Sequence, residues 1–341
     1  MAATDAEGHK RLTPSRVIGE LLRTPEWGLA IGIAVVLCLI FFLDPRRSFF
    51  LWATQQTLIH NIALFGVLAL GAAVVIISGG IDLSVGAVVA LSSVVVAQLM
   101  TKWLPGAQTS GSLPLGVIAA AIALTLLMGL IIGLLHAFMI NWLRLPPFIA
   151  TLATMAGLRS LAIILSTNRS INVPFKAFRV LGSDNWYTVP IFVAAAVLMS
   201  VMMGATVLGR HLYALGGNEA AARLSGLPTN RLKMVAYGLS GVLASLGGIL
   251  FAGNTGQGQG STMGMSYELF AITAAVVGGC SLAGGVGSIR GTVLGLVLIQ
   301  IVIKATGIIV TSIDSSQIEG LVLGTVVVLA VGFNARFRGR G

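Results

Sequence analysis

The 341-residue chain is 56% apolar and only 9% charged, with a mean hydropathy of +0.96, which excludes an ordinary soluble domain and describes a protein dissolved in lipid. Its net charge of +10 does not indicate a nucleic-acid partner, because Lys and Arg are scattered through terminal segments and loops without interleaved aromatics. An excess of cations on the cytoplasmic side of a membrane accounts for it. Lipid offers no partner to backbone N–H and C=O groups, and the apolar runs are too long and too continuous for barrel strands. The expected fold is therefore all-α, a polytopic bundle of about ten transmembrane helices.

Lys10, Arg11, Arg16 and Arg23 precede the first apolar run. No cleavage-like site follows that run, so residues 1–26 are expected to be a retained cytoplasmic segment. Apolar runs bounded by charge, Pro or Gly then predict spans near 27–43, 58–78, 83–100, 114–141, 148–166, 188–208, 232–252, 267–282, 286–304 and 318–334, within one membrane domain over 27–334. Residues 335–341 form a tail. With a cytoplasmic N-terminus, ten spans return Arg336, Arg338 and Arg340 to the same side, together with Arg210, Arg223, Arg231 and Lys233. The 253–266 and 305–317 loops fall outside, as the positive-inside rule expects. The 167–187 loop dissents, being placed outside while carrying Arg169, Lys176 and Arg179. Glycines four apart, at 129/133, 287/291/295 and 320/324, predict close helix approach. Cys38 and Cys280 lack metal spacing and are expected to be core residues.

Four stretches carry more than hydropathy. SGGIDLSVG, residues 78–86, joins two spans, and Asp82 can cap the second through the N–H of Ser84 or Val85. A capping role suffices for it, yet an acid near the membrane is also a functional candidate. NWLRLPPFIATLATMAGLRSLA, 141–162, places Pro147 in a helix first turn and Arg159 further along, either snorkelling to the interface or pointing into the bundle. GRHLYALGGNEAAARLSGLPTNRLK, 209–233, contains a short helix legible from its caps: Asn218 at the start, Glu219 on the positive end of the dipole, Arg223 in the last turn, and Gly226 and Pro228 at the stop. At two turns it cannot cross a bilayer, and its Ala-rich body suits seating in another protein's groove. Finally, GNTGQGQGSTMG reads as a flexible external loop, and YELFAITAAVVGGCSLAGGVGSIRG runs through a span, with Glu268 in its first turn, to a Gly-rich turn. No strand precedes these glycines, so they are no dinucleotide fingerprint. The chain also has no G-x-x-x-x-G-K-[ST] loop to cradle ATP, no paired His ligands among His9, His60, His136 and His211, and no catalytic constellation. It is read as a non-enzyme.

Taken together, GGIDLSVGA, LPPFIATLATM, GRHLYALGGNEAAARLSG and YELFAITAAVVGGCSLAGGVGSIRGT make residues 58–334 resemble the ribose-type permease family of bacterial ABC sugar importers. The resemblance implies a multi-pass inner-membrane permease with both termini cytoplasmic. Its implied partners are a second permease copy or similar subunit, cytoplasmic ATP-binding subunits that hold ATP and Mg, and an external solute-binding protein that delivers a sugar or polyol. No cofactor is expected in this chain. Carried over by position, Gly209, Arg210, Gly217, Asn218, Glu219, Ala221, Arg223 and Gly226 match the family's cytoplasmic coupling element. Gln55, Gln56, Asn61, Asp82, Ser84 and Glu268 are candidates for the translocation path. Two departures stand out: Phe270 where the family usually has Asp, and Ala153 where it often has Gly. The other reading is an autonomous carrier or channel for a small polar solute. That mechanism uses buried ionisable groups or broken helices within spans, whereas the charges here are expected mainly at span ends.

Overall fold

A computed structural model describes residues 25–103 and 113–310, together with 320, 321, 323–325 and 328. In chain order its helices are α1 (Pro25–Leu43), α2 (Trp52–Ile77), α3 (Val85–Gln98), α4 (Leu115–Asn141), α5 (Pro147–Ser166), α6 (Lys176–Ser183), α7 (Asn185–Ala205), α8 (Val207–Gly217), α9 (Glu219–Leu224), α10 (Thr229–Thr255), α11 (Tyr267–Val277) and α12 (Ile289–Ile309). A π-helical turn, Leu99–Trp103, extends α3. Among the described residues, 8 helices are long and apolar enough to cross a membrane. The expected tenth span and the terminal segments fall largely outside the described residues.

Helices α2, α3 and α10 form the centre. Helix α10 packs on α2, α3, α4 and α6; α2 also packs on α7, α11 and α12, α5 covers α3, and α1 lies outermost on α12. The central helices are apolar all round and bury both faces, as a helix surrounded by other helices must. The outer ones keep large apolar side chains exposed, among them Phe42, Leu127, Ile164 and Leu198, the composition of a lipid-facing surface. Glycine sets the closest approach. A Cβ on Gly129 or Gly133 of α4 would meet the carbonyl oxygens of Gly241 and Tyr237 on α10, respectively, so any larger residue would force the two backbones apart. Gly320 and Gly324, by contrast, have nothing near the position of a Cβ, and Cys38 is exposed because α1 is peripheral, whereas Cys280 is buried.

The expected eighth span is not one membrane-length helix. Helix α11 has 11 residues, about 16 Å at 1.5 Å per residue, and stops at a left-handed turn in which Gly279 has φ 93° and Cys280 N–H donates to Ala275 O at 2.9 Å. The stretch before it, expected to be a flexible external loop, is packed into the bundle. Residues Gln257–Gly258 (β2) pair antiparallel with Ile171–Asn172 (β1), and the N–H of Gln259 donates to Ser93 Oγ at 3.2 Å. Gly258, Gly260 and Gly264 lie against the backbones of Ser93, Ala162 and Gly86. An extended segment followed by a half-length helix thus replaces one continuous helix. Irregular backbone is tolerated there because protein groups satisfy it. The dissenting 167–187 loop is also structured, with Gly182 of α6 against the Leu250 carbonyl of α10.

Candidate functional site

Two polar regions occupy different depths of the bundle. At one end, α8 and α9 form an elbow across the mouth of the helices. Thr206 caps α8 by accepting from Gly209 N–H at 3.2 Å, and Tyr213 Oη donates to Gly287 O at 2.9 Å. Gly216 lies against Ile77 O and Gly285 N, which are themselves joined by a 2.9 Å hydrogen bond. The elbow is therefore fastened by backbone contact to the ends of both α2 and the turn after α11.

Helix α9 follows the caps read from the sequence. Asn218 Oδ1 accepts from Ala221 N–H at 2.9 Å, and Gly226, with φ 81°, closes the far end. Glu219 Oε1 accepts from Arg223 Nη2 at 3.0 Å and from Lys233 Nζ of α10 at 2.7 Å. Burial pushes the Glu219 carboxyl up, but hydrogen bonds and charge from Lys233 and Arg223 outweigh it and hold the group below the usual carboxylate range. Of the remaining body, Ala222 is buried while Ala221, Arg223 and Leu224 are exposed, Leu224 at 90%. Arg210, Gly217, Asn218 and Gly226 are exposed and Gly209 is buried. The elbow, the α4–α5 turn and the residues after α2 enclose a cavity of about 760 Å³, lined in part by Gly79, Asn141, Arg144, Glu219, Lys233 and Tyr237.

The second region is deeper. Asp82 is buried and fully partnered, with Oδ1 accepting from Ser84 N–H at 2.9 Å and Ser84 Oγ at 2.7 Å, and Oδ2 from Ser240 Oγ of α10 at 2.7 Å. The expected bond from Ser84 N–H is made, although Ser84 and not Asp82 is the N-cap of α3, and Ser240 adds an interhelix link that spacing could not disclose. Glu268, at the start of α11, rests its carboxylate against Gly86. Arg159 points into the bundle. Its guanidinium donates to the carbonyls of Gly260, at 3.2 Å, Gly264, at 3.0 Å, and Met263. Glu268 is within electrostatic reach of both Arg159 and Asp82 without an ion pair to Arg159. A buried acid, Asp82, and a shortened helix are thus both present; Asp82 and Glu268 lie at helix ends as expected, whereas the half-buried Arg159 lies within its span. Asp82, Ser84 and Glu268 come together here. Gln55, Gln56 and Asn61 do not, since they lie near the other end of α2, where Gln55 Nε2 donates to Phe49 O at 2.6 Å. Phe270 is buried and stacks on Phe65, ring centroids 4.4 Å apart, so the position of the missing acid is apolar. The groups missed from sequence are Lys233 and Tyr213 at the elbow. Both are long side chains reaching a partner remote in sequence, which no local pattern reports.

Against known proteins, residues 56–331 match the family described as branched-chain amino acid transport system / permease component. The chain is 32% identical to the ribose import permease protein RbsC of Escherichia coli (strain K12), over 94% of this chain and 98% of that one. It is 35% identical to RbsC of Bacillus subtilis (strain 168), over 89% and 91%, and 33% identical to the L-arabinose transport system permease protein AraH of Escherichia coli (strain K12), over 89% of each. No solved structure matches.

Proposed function

This chain belongs to the branched-chain amino acid transport system permease family, and from that footing we propose that it is the membrane-spanning subunit of an ATP-driven importer for a sugar or related polyol. The printed functions of its relatives, ribose import and L-arabinose transport, support the sugar class. The protein is a multi-pass membrane protein of the bacterial inner membrane, with both termini and the α8–α9 elbow on the cytoplasmic side. It works with a second permease copy or a similar subunit, cytoplasmic ATPases that hold ATP and Mg, and an external solute-binding protein.

The observation that carries the mechanism is the elbow. An ATPase can bias inward- and outward-open states only through contacts that differ between them. Helix α9 offers an exposed face of Ala221, Arg223 and Leu224 for such contact. Behind it, Gly216 touches the end of α2 and the turn after α11. A displacement of the elbow therefore reaches both the Asp82 segment and the 257–277 segment. Asp82, Ser84 and Glu268 belong to the moving path, and Gln55, Gln56 and Asn61 to its outer part. Glu219→Lys reverses the charge facing Lys233 and should abolish uptake while membrane insertion persists. Leu224→Asp, at an exposed position, should release the ATPase on purification without lowering expression. Normal uptake by the first variant and retained ATPase in the second would overturn the assignment.

The autonomous carrier remains the competing reading, favoured by the broken α11 segment, the buried Asp82 and the half-buried Glu268 and Arg159. Asp82 and Arg159 are each satisfied by groups of the same chain, which weighs against their coupling transport to an ion.

A further inference from the structure

At the opposite end of the bundle from α8 and α9, a cavity of about 1060 Å³ opens between the starts of α2 and α7, the end of α6 and the end of α10. Its centre is a polar cluster built from three helices. His60 Nδ1 lies 2.8 Å from Asn185 Oδ1 and Nε2 lies 3.2 Å from Asn254 Oδ1, while Asn185 Nδ2 donates to Gln56 O at 3.1 Å. With its amide nitrogen committed to Gln56, Asn185 presents oxygen to the ring and fixes Nδ1 as a donor. A neutral ring then accepts at Nε2, so the Asn254 amide turns its nitrogen toward the ring and keeps its oxygen for another partner. Asn254 has a second amide head, and Asp184 uses Oδ1 to cap Trp186 N–H at 3.0 Å, leaving Oδ2. Two indoles flank the cluster, Trp52 at 71% and Trp186 at 84% exposure.

The lining contains one carboxylate, Asp184, and no Lys or Arg. An anionic ligand, or the phosphate of a lipid headgroup, would find no countercharge there. A neutral polyhydroxylated ring fits instead, since its C–H face can lie on an indole while its hydroxyls exchange hydrogen bonds with the amides, the imidazole and the carboxylate. We propose that this cavity is an entry subsite for a monosaccharide, holding the solute weakly at the outer mouth of the permease before it moves inward. The proposal rests on the sugar-import reading above and adds to it a site and its residues. The wide opening suits weak binding, because a closed and tight site at the mouth would retain what it is meant to pass on.

The test uses the permease with its ATPase subunits in lipid nanodiscs, titrated with D-ribose, L-arabinose and D-glucose while tryptophan fluorescence is followed. At least one sugar should give a saturable change at millimolar concentration that is lost in Trp186→Phe. Asn254→Ala should weaken the apparent affinity about 3- to 10-fold, the consequence of deleting one neutral hydrogen bond. ATP-driven uptake by the unaltered complex in liposomes, with its solute-binding protein supplied on the outer side, is read in parallel. If that complex imports sugar but shows no sugar-dependent signal, or if both variants respond as it does, the subsite is refuted while the import reading stands. If the unaltered complex imports no sugar, both fail. A Trp186 signal quenched by brominated lipid yet indifferent to sugar would make these indoles an interfacial belt and overturn the proposal.

Discussion

Glu219 holds α9 to α10 through a single oxygen shared by Arg223 and Lys233. Because its folded-state carboxyl lies below the ordinary value of about 4.5, its stabilisation is complete above that value and is lost as the pH falls through the folded value. The side chain is 39% exposed, so solvent screening limits each pair to about 0.2–1 kcal/mol. Amide protection factors over Ala220–Leu224, corrected for the intrinsic exchange rate at each pH, should therefore fall in acid in the native protein, and Glu219→Gln should show the lower protection already at neutral pH with the acid step removed. Glycine gives a matched pair of stability predictions. A Cβ at Gly216 meets the backbone of Ile77 and Gly285, which cannot yield as a side-chain tip can, whereas one at Gly217 meets open space. Gly216→Ala should cost about 1–3 kcal/mol and lower the melting temperature in detergent, and Gly217→Ala should leave it near that of the native protein.

At the scale of elements, the least regular segment is the one most firmly tied. Arg159 satisfies three carbonyls in the chain leading to α11, a task for a planar fork of five donors that an ammonium does not reproduce. Arg159→Met should raise amide exchange across 257–266 and reduce uptake, and Arg159→Lys should fail to restore either. This region also marks the limit of what the sequence discloses. Helix α9 was legible to the residue because Asn218, Glu219, Arg223 and Gly226 act on neighbours within a turn, and the Asp82–Ser84 bond was legible for the same reason. The 257–266 segment was not. Gly258, Gly260 and Gly264 read locally as part of a polar loop, and they are buried only because Ser93, Ala162 and Gly86, remote in sequence, supply the packing surface. The ending of α11 at Val277 was hidden likewise by the apolar composition that continues beyond it.

For the whole molecule, hydropathy located the long helices to within a few residues, while their arrangement depended on small residues whose partners lie far along the chain, such as Gly133 against Tyr237. The resulting bundle has two dissimilar ends. One carries the basic elbow, fastened to both irregular segments of the core, and the other carries a cavity of amides, indoles and one carboxylate, with Arg179 beside it against Gly256. Such polarity fits a conduit whose energy enters at one face and whose solute enters at the other. Sugar uptake into liposomes bearing the permease, with and without its ATPase subunits, ATP and solute-binding protein, tests this most directly. Uptake should require all of them together, and accumulation by the permease alone would contradict the account.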